Sequence, residues 1–162
     1  MVKKLSEFSI LIRTKNEERW IGHAIQSILD NISKKEIIIV DNNSTDKTLD
    51  IVKHFVEDPL LDSKSKRYTN IKIFNIQNYS PGRSINLGVK KCSRKYILIL
   101  SAHCILKKFN ENDIISQLKN KVCVFGNQIP VWNGKKISKR YIWSHFGDKK
   151  EINLFSKLEN RY

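Results

Sequence analysis

The sequence has few of the residues that build disulfide frameworks, zinc clusters or glycine-rich phosphate loops. Its three cysteines, Cys92, Cys104 and Cys123, are odd in number, lie far apart and include no C-x-x-C pair. This spacing argues against disulfides and zinc and favours free thiols. The six glycines form neither G-x-G-x-x-G after the first predicted strand nor a P-loop, which argues against Rossmann dehydrogenases and P-loop NTPases. A G-x-S-x-G nucleophile elbow and an H-E-x-x-H zinc motif are also missing.

Long apolar runs are missing as well. No segment approaches the roughly 20 apolar residues of a membrane-spanning helix. Residues 1–7 contain two lysines but no continuous apolar stretch of the kind found in signal peptides. We therefore expect a cytoplasmic protein.

Acidic residues are scarce relative to basic ones. The 162 residues include 16 Asp and Glu against 30 Lys and Arg, so the net charge is +14. Such a charge suggests a polyanionic partner, namely nucleic acid, an anionic membrane or a phosphorylated ligand. However, the cations come mostly as scattered pairs, and no nucleic-acid-binding signature accompanies them, so nucleic acid is not favoured. Basic and aromatic residues interleave at 135–150, which suggests a peripheral contact with the inner face of a membrane.

Apolar segments of strand length alternate with helical segments along the chain. We predict strands at residues 8–14, 36–41, 71–76, 96–100 and 121–126. Apolar residues at helical spacing follow each of the first three strands and predict three helices, and a weaker helix is predicted at about 111–119. Ser80 and Pro81 are typical of a helix N-terminus. The alternation predicts an α/β domain with a largely parallel sheet.

The most informative stretch is residues 37–46. An uninterrupted apolar run, typical of a strand buried on both faces, ends at Asp41 and is followed by amides and hydroxyls. Polar residues also follow the other strands, and in a parallel sheet these positions share the edge where ligands bind. Such a set suits a nucleotide, with an acid for base or ribose and an Arg and a helix N-terminus for phosphate. Asp41 could also be a simple strand-end cap, and Asp46 is better explained as a helix-start residue.

Four segments in order resemble family 2 glycosyltransferases. Residues 9–18, S-I-L-I-R-T-K-N-E-E, are similar to the family's S-I-I-I-P-T-x-N-E-E. Residues 38–48, I-I-V-D-N-N-S-T-D-K-T, resemble I-I-V-V-D-D-G-S-T-D-x-T. Residues 81–88 resemble A-R-N-x-G, and residues 96–103 match the strand that normally ends in D-x-D. Together these segments cover about the first two-thirds of the chain.

The resemblance implies a Rossmann-like GT-A fold, with a mostly parallel sheet and helices on both faces, incomplete on the acceptor side. It also implies a donor-nucleotide site. Asp41 would accept a hydrogen bond from the base, Arg83 would lie near the base or diphosphate, and residues 101–103 would face the diphosphate. The full set of implied donor-binding residues is Thr14, Asn16, Glu17, Asp41, Asn43, Arg83, Ser101, Ala102 and His103.

The implied reaction is inverting transfer of a sugar from a nucleotide-sugar to an acceptor hydroxyl, in surface polysaccharide or glycan synthesis. A carboxylate would remove the acceptor proton, and a cation would stabilise the leaving diphosphate. The acceptor would be a glycan or a lipid-linked molecule.

The D-x-D position departs from the family because it reads Ser101-Ala102-His103. Both carboxylates are missing, and His103 falls on the acid that usually binds Mg²⁺ or Mn²⁺. Imidazole suits Mn²⁺ better than Mg²⁺ but replaces a hard oxygen ligand poorly. We therefore favour weak or absent metal binding, with His103 bonding the diphosphate directly. A structural histidine bonded to backbone is the alternative.

The C-terminal part departs from the family too. No acceptor motif follows residue 126, so we expect the catalytic base beyond Tyr162 and a possible complementing C-terminal chain. We assign residues 1–127 to the nucleotide-sugar domain and residues 128–162 to a basic, aromatic tail that begins the acceptor region. The alternatives are a catalytically incomplete nucleotide-binding fragment and a basic nucleic-acid-binding module. Trp20 is expected to pack in the core on the first helix, and Glu17 and Glu18 are expected near the start of that helix, where they suit the positive end of its dipole. Residues 44–46, Ser-Thr-Asp, are expected to open the second helix.

Overall fold

The computed structural model describes residues 6–57 and 70–137. These residues belong to two compact units, one extending to Glu111 and the other beginning at Asn112. No helix in these two ranges is long and apolar enough to cross a membrane. The elements are β1 (Phe8–Thr14), α1 (Ile21–Asn31), β2 (Glu36–Asp41), α2 (Thr48–Glu57), β3 (Asn70–Asn75), α3 (Pro81–Lys91), β4 (Tyr96–Ser101), α4 (Glu111–Leu118), β5 (Val131–Trp132) and β6 (Lys135–Lys136).

The first unit is built on a four-stranded sheet with the strand order β3-β2-β1-β4. All three strand pairs are parallel, and helices connect the strands along the chain. The predicted α/β fold with a parallel sheet is confirmed. The first four predicted strands are formed, each within one residue of the expected bounds.

Helices cover both faces of this sheet because the two central strands are apolar on both sides. Ile10, Ile12, Ile37 and Ile39 pack with α1 and α2 in one buried cluster. Leu11, Ile38 and Val40 point to the opposite face, where Ile85 and Leu87 of α3 cover them. Every residue of β2 is buried, as expected of a strand with helices above and below it.

Helix α3 approaches β1 closely at Gly88. A Cβ at this position would stand 2.7 Å from Leu11 Cδ2 and closer still to Cδ1. Leu11 is fully buried, so it has no free space to move into. A residue without a side chain is therefore required where α3 crosses β1.

The amino-terminal edge of the sheet is closed by a buried carboxylate, Glu36. Its oxygens accept hydrogen bonds from Ser9 Oγ (2.6 Å), Ser93 N (2.8 Å) and Ser93 Oγ (3.0 Å), and Lys72 Nζ lies at 3.3 Å. Burial raises the pKa of Glu36, but these hydrogen bonds outweigh it and hold the pKa below its ordinary value. Glu36 thus ties β2 to β1, to β3 and to the loop before β4.

The second unit differs from the sequence-based expectation. Residues 121–126 do not form the predicted fifth strand, and the prediction is wrong there. Val122 is 103% exposed and Phe125 is also exposed, and residues 121–126 pair with no strand of the described residues. The strands found instead are β5 and β6, an antiparallel hairpin. Asn133 and Gly134 at its turn both have positive φ, which is the conformation that a two-residue Asn-Gly turn requires.

Two smaller expectations also fail. Trp20 is half exposed and precedes α1, so it is not a core residue of that helix. Glu17 and Glu18 lie before the helix rather than in its first turn, because the chain makes a backbone turn from Glu17 to Trp20 and Ile21 first.

Candidate functional site

The carboxyl ends of the four parallel strands bring the predicted polar residues to one edge of the sheet. In the β1–β2 register, Thr14 is the partner of Asp41. In the β1–β4 register, Arg13 is the partner of Ser101. The strand ends of β1, β2 and β4 are therefore neighbours, as expected for a ligand site in an open α/β sheet.

Hydrogen bonds join the loop after β1 to the loop after β2. The backbone amide of Asn16 donates to Ser44 Oγ at 2.9 Å, and the backbone amide of Thr45 donates to the side-chain oxygen Oδ1 of Asn16 at 2.8 Å. The Glu17 amide donates to Thr48 Oγ1 at 2.7 Å. Asn16 has a φ of 54°, a left-handed conformation that asparagine tolerates better than most residues. The two loops are thus held together as one rim.

Asp46 and Glu18 complete this rim. Asp46 Oδ1 accepts from the Thr48 amide at 3.0 Å and Oδ2 from the Glu18 amide at 3.1 Å. Glu18 Oε2 accepts from the Lys47 amide at 3.0 Å. Partial desolvation raises the pKa of Asp46, but hydrogen bonds from Thr48 and Glu18 outweigh it and place the pKa below its ordinary value. Asp46 therefore has the helix-start role predicted for it.

Asp41 is fully buried at the end of β2. Its Oδ2 accepts from the Ser44 amide at 2.9 Å and its Oδ1 from Ser44 Oγ at 2.5 Å, so it acts as the strand-end cap that the sequence allowed. A carboxylate has about four lone-pair sites, and Ser44 uses two of them. The other two sites have no partner from Ser44, and base recognition by Asp41 stays a prediction.

Thr14 is distinctive because its hydroxyl has no partner. The residue is 5% exposed, and Oγ1 is one of two buried side-chain polar atoms in the described residues without a hydrogen bond. Buried polar groups in proteins are nearly always paired. An unpaired hydroxyl at a strand end beside Asp41 is therefore the strongest indication of a ligand contact at this edge.

His103 and Glu17 form a pair across the β1 and β4 strand ends. His103 Nδ1 lies 3.1 Å from Glu17 Oε1, and the His103 side chain is 60% exposed. A turn closed by the Cys104 amide and the Ser101 carbonyl (2.9 Å) carries the histidine. Ala102, between them, packs into the apolar core, so its side chain is not available to a ligand.

The side chains at this position are poorly suited as ligands of a divalent cation. Among the described residues, no group of three or more His, Cys, Asp and Glu side chains lies close enough together to hold a metal ion. His103 and Glu17 supply one imidazole and one carboxylate, whereas Mg²⁺ prefers an octahedral set of oxygen ligands.

Arg83 and Asn43 lie at the same edge without joining these pairs. Arg83 is exposed in the first turn of α3, its amide bonds Ser80 Oγ at 3.2 Å, and its Nη1 bonds the Asn78 carbonyl at 3.4 Å. Asn43 has a φ of 52° and its Nδ2 lies 3.5 Å from the Ile76 carbonyl. The hydrogen bonds of the described residues do not connect Arg83 to Asp41 or to His103.

Sequence reasoning missed several residues that shape the rim. The sequence predicts only helix-start roles for Ser44 and Glu18 and no role for Thr48, although all three side chains hold the rim together. The S-T-D segment signalled capping, but which backbone amides it would cap depends on the neighbouring strand. The predictions for residues 138–162, including most of the membrane-contact segment, lie outside the described residues.

Comparisons with known proteins agree with this architecture. The glycosyl transferase family 2 model matches residues 9–159. A Methanococcus voltae dolichyl N-acetyl-α-D-glucosaminyl phosphate 3-β-D-2,3-diacetamido-2,3-dideoxy-β-D-glucuronosyltransferase is 32% identical over 117 residues, covering 70% of this chain and 32% of its own length. The Staphylococcus aureus poly(ribitol-phosphate) β-N-acetylglucosaminyltransferase TarS is 26% identical over 109 residues, covering 64% of this chain and 17% of its own length.

Among solved structures, Staphylococcus aureus TarS residues 1–349 in complex with UDP superposes with a TM-score of 0.56 and 22% identity, over 69% of this chain and 32% of that chain. This likeness shows a shared fold. The chain spans about a third or less of the length of these relatives. Because the family model covers nearly the whole sequence, the chain belongs to glycosyl transferase family 2.

Proposed function

We propose that this chain binds a nucleotide-sugar donor at the carboxyl edge of its sheet and serves in transfer of the sugar to an acceptor hydroxyl. The observation that carries the proposal is the unpaired, buried Thr14 hydroxyl beside Asp41, at the edge where α/β sheets bind ligands. Family membership supports the same function, as do the UDP and UDP-GlcNAc complexes of TarS, which shares the fold.

In this proposal the nucleoside lies over the β1 and β2 strand ends. Thr14 and Asp41 bond the base or ribose, and Asn16, Glu17 and Asn43 shape the pocket through the rim. Arg83, whose guanidinium is exposed, extends toward the base or diphosphate. Its planar guanidinium is suited to bidentate hydrogen bonding with phosphate oxygens.

The diphosphate lies near the β4 strand end, where Ser101 and His103 are exposed. Glu17 orients the imidazole by bonding Nδ1, which leaves Nε2 for a diphosphate oxygen. The imidazolium form donates from both nitrogens and offsets negative charge as the diphosphate departs. We propose that this contact makes donor binding weakly dependent on, or independent of, Mn²⁺ and Mg²⁺.

The transfer itself is proposed to invert the anomeric centre. The acceptor hydroxyl attacks in line with the departing diphosphate, and a carboxylate base accepts its proton. We assign no described residue as that base. A surface glycan or lipid-linked acceptor is proposed, because the relatives are named for a dolichyl-phosphate-linked sugar and for poly(ribitol-phosphate). A lipid-linked acceptor would place the chain at a membrane surface.

Isothermal titration with UDP, GDP and dTDP tests donor binding. We expect saturable binding of at least one nucleotide, about tenfold weaker in Asp41→Asn because a charged acceptor is lost. Asp50→Asn, which changes an exposed carboxylate on α2, is the matched control and should bind as the wild type does. No measurable binding of any of the three nucleotides would contradict the proposal.

The same titrations test metal dependence. We expect the affinity for the preferred nucleotide to be similar in EDTA and in Mn²⁺. A requirement for Mn²⁺ that is abolished in His103→Ala would instead identify His103 as a metal ligand.

A further inference from the structure

The middle of the chain is rich in basic residues and contains no acidic residue of its own. No Asp or Glu occurs between Asp62 and Glu111. Within this stretch four cations fall in six residues, Lys90, Lys91, Arg94 and Lys95, here called the amino-edge cluster. None of the four forms an ion pair with a carboxylate of the described residues. Lys90 and Lys91 suit the negative end of the α3 dipole, but Arg94 and Lys95 lie beyond the helix and need another explanation.

The amino-edge cluster lies at the opposite edge of the sheet from the candidate donor site. Helix α3 begins after the carboxyl end of β3, and its last residue, Lys91, precedes the amino end of β4. A six-residue strand spans about 20 Å, so the cluster and the β4 strand end that carries Ser101 are separated by about that length. Three acidic residues lie at this edge. Glu36 is buried and engaged by Ser9, Ser93 and Lys72, and Glu111 accepts a hydrogen bond from the Glu7 amide at 2.7 Å. Glu7 in turn accepts from the Tyr96 amide through its backbone carbonyl.

Arg94 extends the amino-edge cluster beyond α3. Its backbone amide is fixed by a 3.1 Å hydrogen bond to Ser9 Oγ, and its side chain is partly exposed, although Nε itself is buried and has no partner in residues 6–57 and 70–137. Phosphate is the anion whose geometry matches a guanidinium best, so Arg94 suits a phosphate-bearing surface.

The surroundings of the amino-edge cluster favour a lipid surface over nucleic acid. Lys91 Nζ lies 5.0 Å from the centroid of the Phe74 ring, and Lys95 Nζ lies 5.1 Å from that of Tyr96. The protein's own lysines thus occupy ring faces that would have to be free to stack on bases. Val89, one residue before the pair of lysines, is 41% exposed and adds apolar surface of the kind that enters the headgroup region.

We propose that the amino-edge cluster docks the chain on an anionic phospholipid surface. Clusters of four or more cations on and beside a helix are typical of sites for anionic lipid. This inference deepens the membrane contact in the proposed function and assigns it to α3 and the loop before β4 rather than to the tail.

Vesicle co-sedimentation with the full chain tests the proposal. Phosphatidylcholine vesicles are compared with vesicles that also contain phosphatidylglycerol. We expect binding only to the latter, weakening as salt is raised. The triple variant Lys90→Gln, Lys91→Gln, Lys95→Gln should bind about 100-fold more weakly, and Lys90→Gln, Lys91→Gln about tenfold or more. The control Lys53→Gln, Lys107→Gln, Lys108→Gln loses the same charge from exposed positions elsewhere and should bind nearly as the wild type does.

Three results would overturn the proposal: no binding of the wild type to phosphatidylglycerol vesicles, equal losses in both triple variants, or tighter binding of a single-stranded oligonucleotide with the same lysine dependence. The second result would indicate diffuse attraction from the net charge, and the third a nucleic-acid surface. Thermal unfolding and nucleotide titration of each variant separate this test from the donor-binding proposal, because the amino-edge cluster variants should retain nucleotide affinity.

Discussion

At the end of β1 the chain buries a hydroxyl and gives it no partner. The Thr14 Oγ1 atom therefore lowers the stability of the unliganded protein, and a ligand that bonds it would recover the loss. Strain or unsatisfied groups of this kind are typical of functional sites. Substitutions of single residues can therefore separate a proposed ligand contact from a structural one.

Thr14→Val replaces this hydroxyl by a methyl group of similar shape. We expect the free energy of unfolding to rise by about 1 kcal/mol, while nucleotide affinity falls about tenfold. Urea unfolding and isothermal titration measure the two effects. Ser27→Ala is the contrast, because Ser27 Oγ is buried with two hydrogen bonds, to the Ala24 carbonyl and from the Leu106 amide. It should lower stability and leave affinity unchanged, and a Thr14→Val variant that behaves in this way would refute the ligand contact.

His103 can be tested by comparing a diphosphate with a nucleoside. If His103 bonds the diphosphate, His103→Ala should weaken UDP binding about tenfold and leave uridine binding unchanged. Glu17→Gln should have a smaller effect of the same kind, because it acts through the orientation of the imidazole. His23→Ala, at an exposed position on α1, is the control. Equal losses for UDP and uridine would indicate that His103 is a structural residue.

At the scale of the elements, the packing of α3 on β1 depends on one position. Gly88→Ala places a methyl group against the buried Leu11 side chain, and such overpacking costs about 1–3 kcal/mol. Gly82→Ala, in the first turn of the same helix with nothing within 4 Å of the added Cβ, should be neutral or stabilising by up to about 1 kcal/mol.

Urea unfolding of the two glycine variants measures the difference between them. Similar stabilities would mean that α3 shifts freely on the sheet, and the close approach at Gly88 would then have no energetic role.

The elements also show where the apolar pattern of one segment is insufficient to predict a strand. The strands of the sheet were predictable because each apolar run has a partner within the fold. Residues 121–126 are also largely apolar, but they have no partner strand among the described residues and remain outside any strand. Strand formation needs a neighbour to satisfy backbone groups, and the sequence of one segment does not state whether a neighbour exists.

For the whole molecule, the pH dependence of stability should report on Glu36. Its pKa is held below the ordinary 4.5 in the folded protein, so its carboxylate stabilises the fold above that pH. The contribution is lost as the pH falls through the folded pKa. Glu36→Gln should therefore lower the free energy of unfolding at neutral pH by about 2 kcal/mol, and the difference from wild type should shrink in acid.

Urea unfolding at neutral pH and below the ordinary carboxyl pKa measures this change. Asp50→Asn removes one partner of an exposed pair with Lys53 and should change stability by less than about 1 kcal/mol at either pH. A Glu36→Gln effect that does not depend on pH would contradict the role assigned to the buried carboxylate.

By itself the sequence determined the order of the first eight elements, the parallel sheet and the edge at which Thr14, Asp41 and Ser101 meet, because these follow from hydrophobic period and from the direction of parallel strands. Only the tertiary structure decided which polar groups are satisfied. It paired Asp41 with Ser44 and Glu17 with His103, and it left Thr14 Oγ1 and Arg94 Nε without partners. Hydrogen bonding depends on distances of a few tenths of an ångström between segments far apart in the chain, and no local pattern encodes these distances.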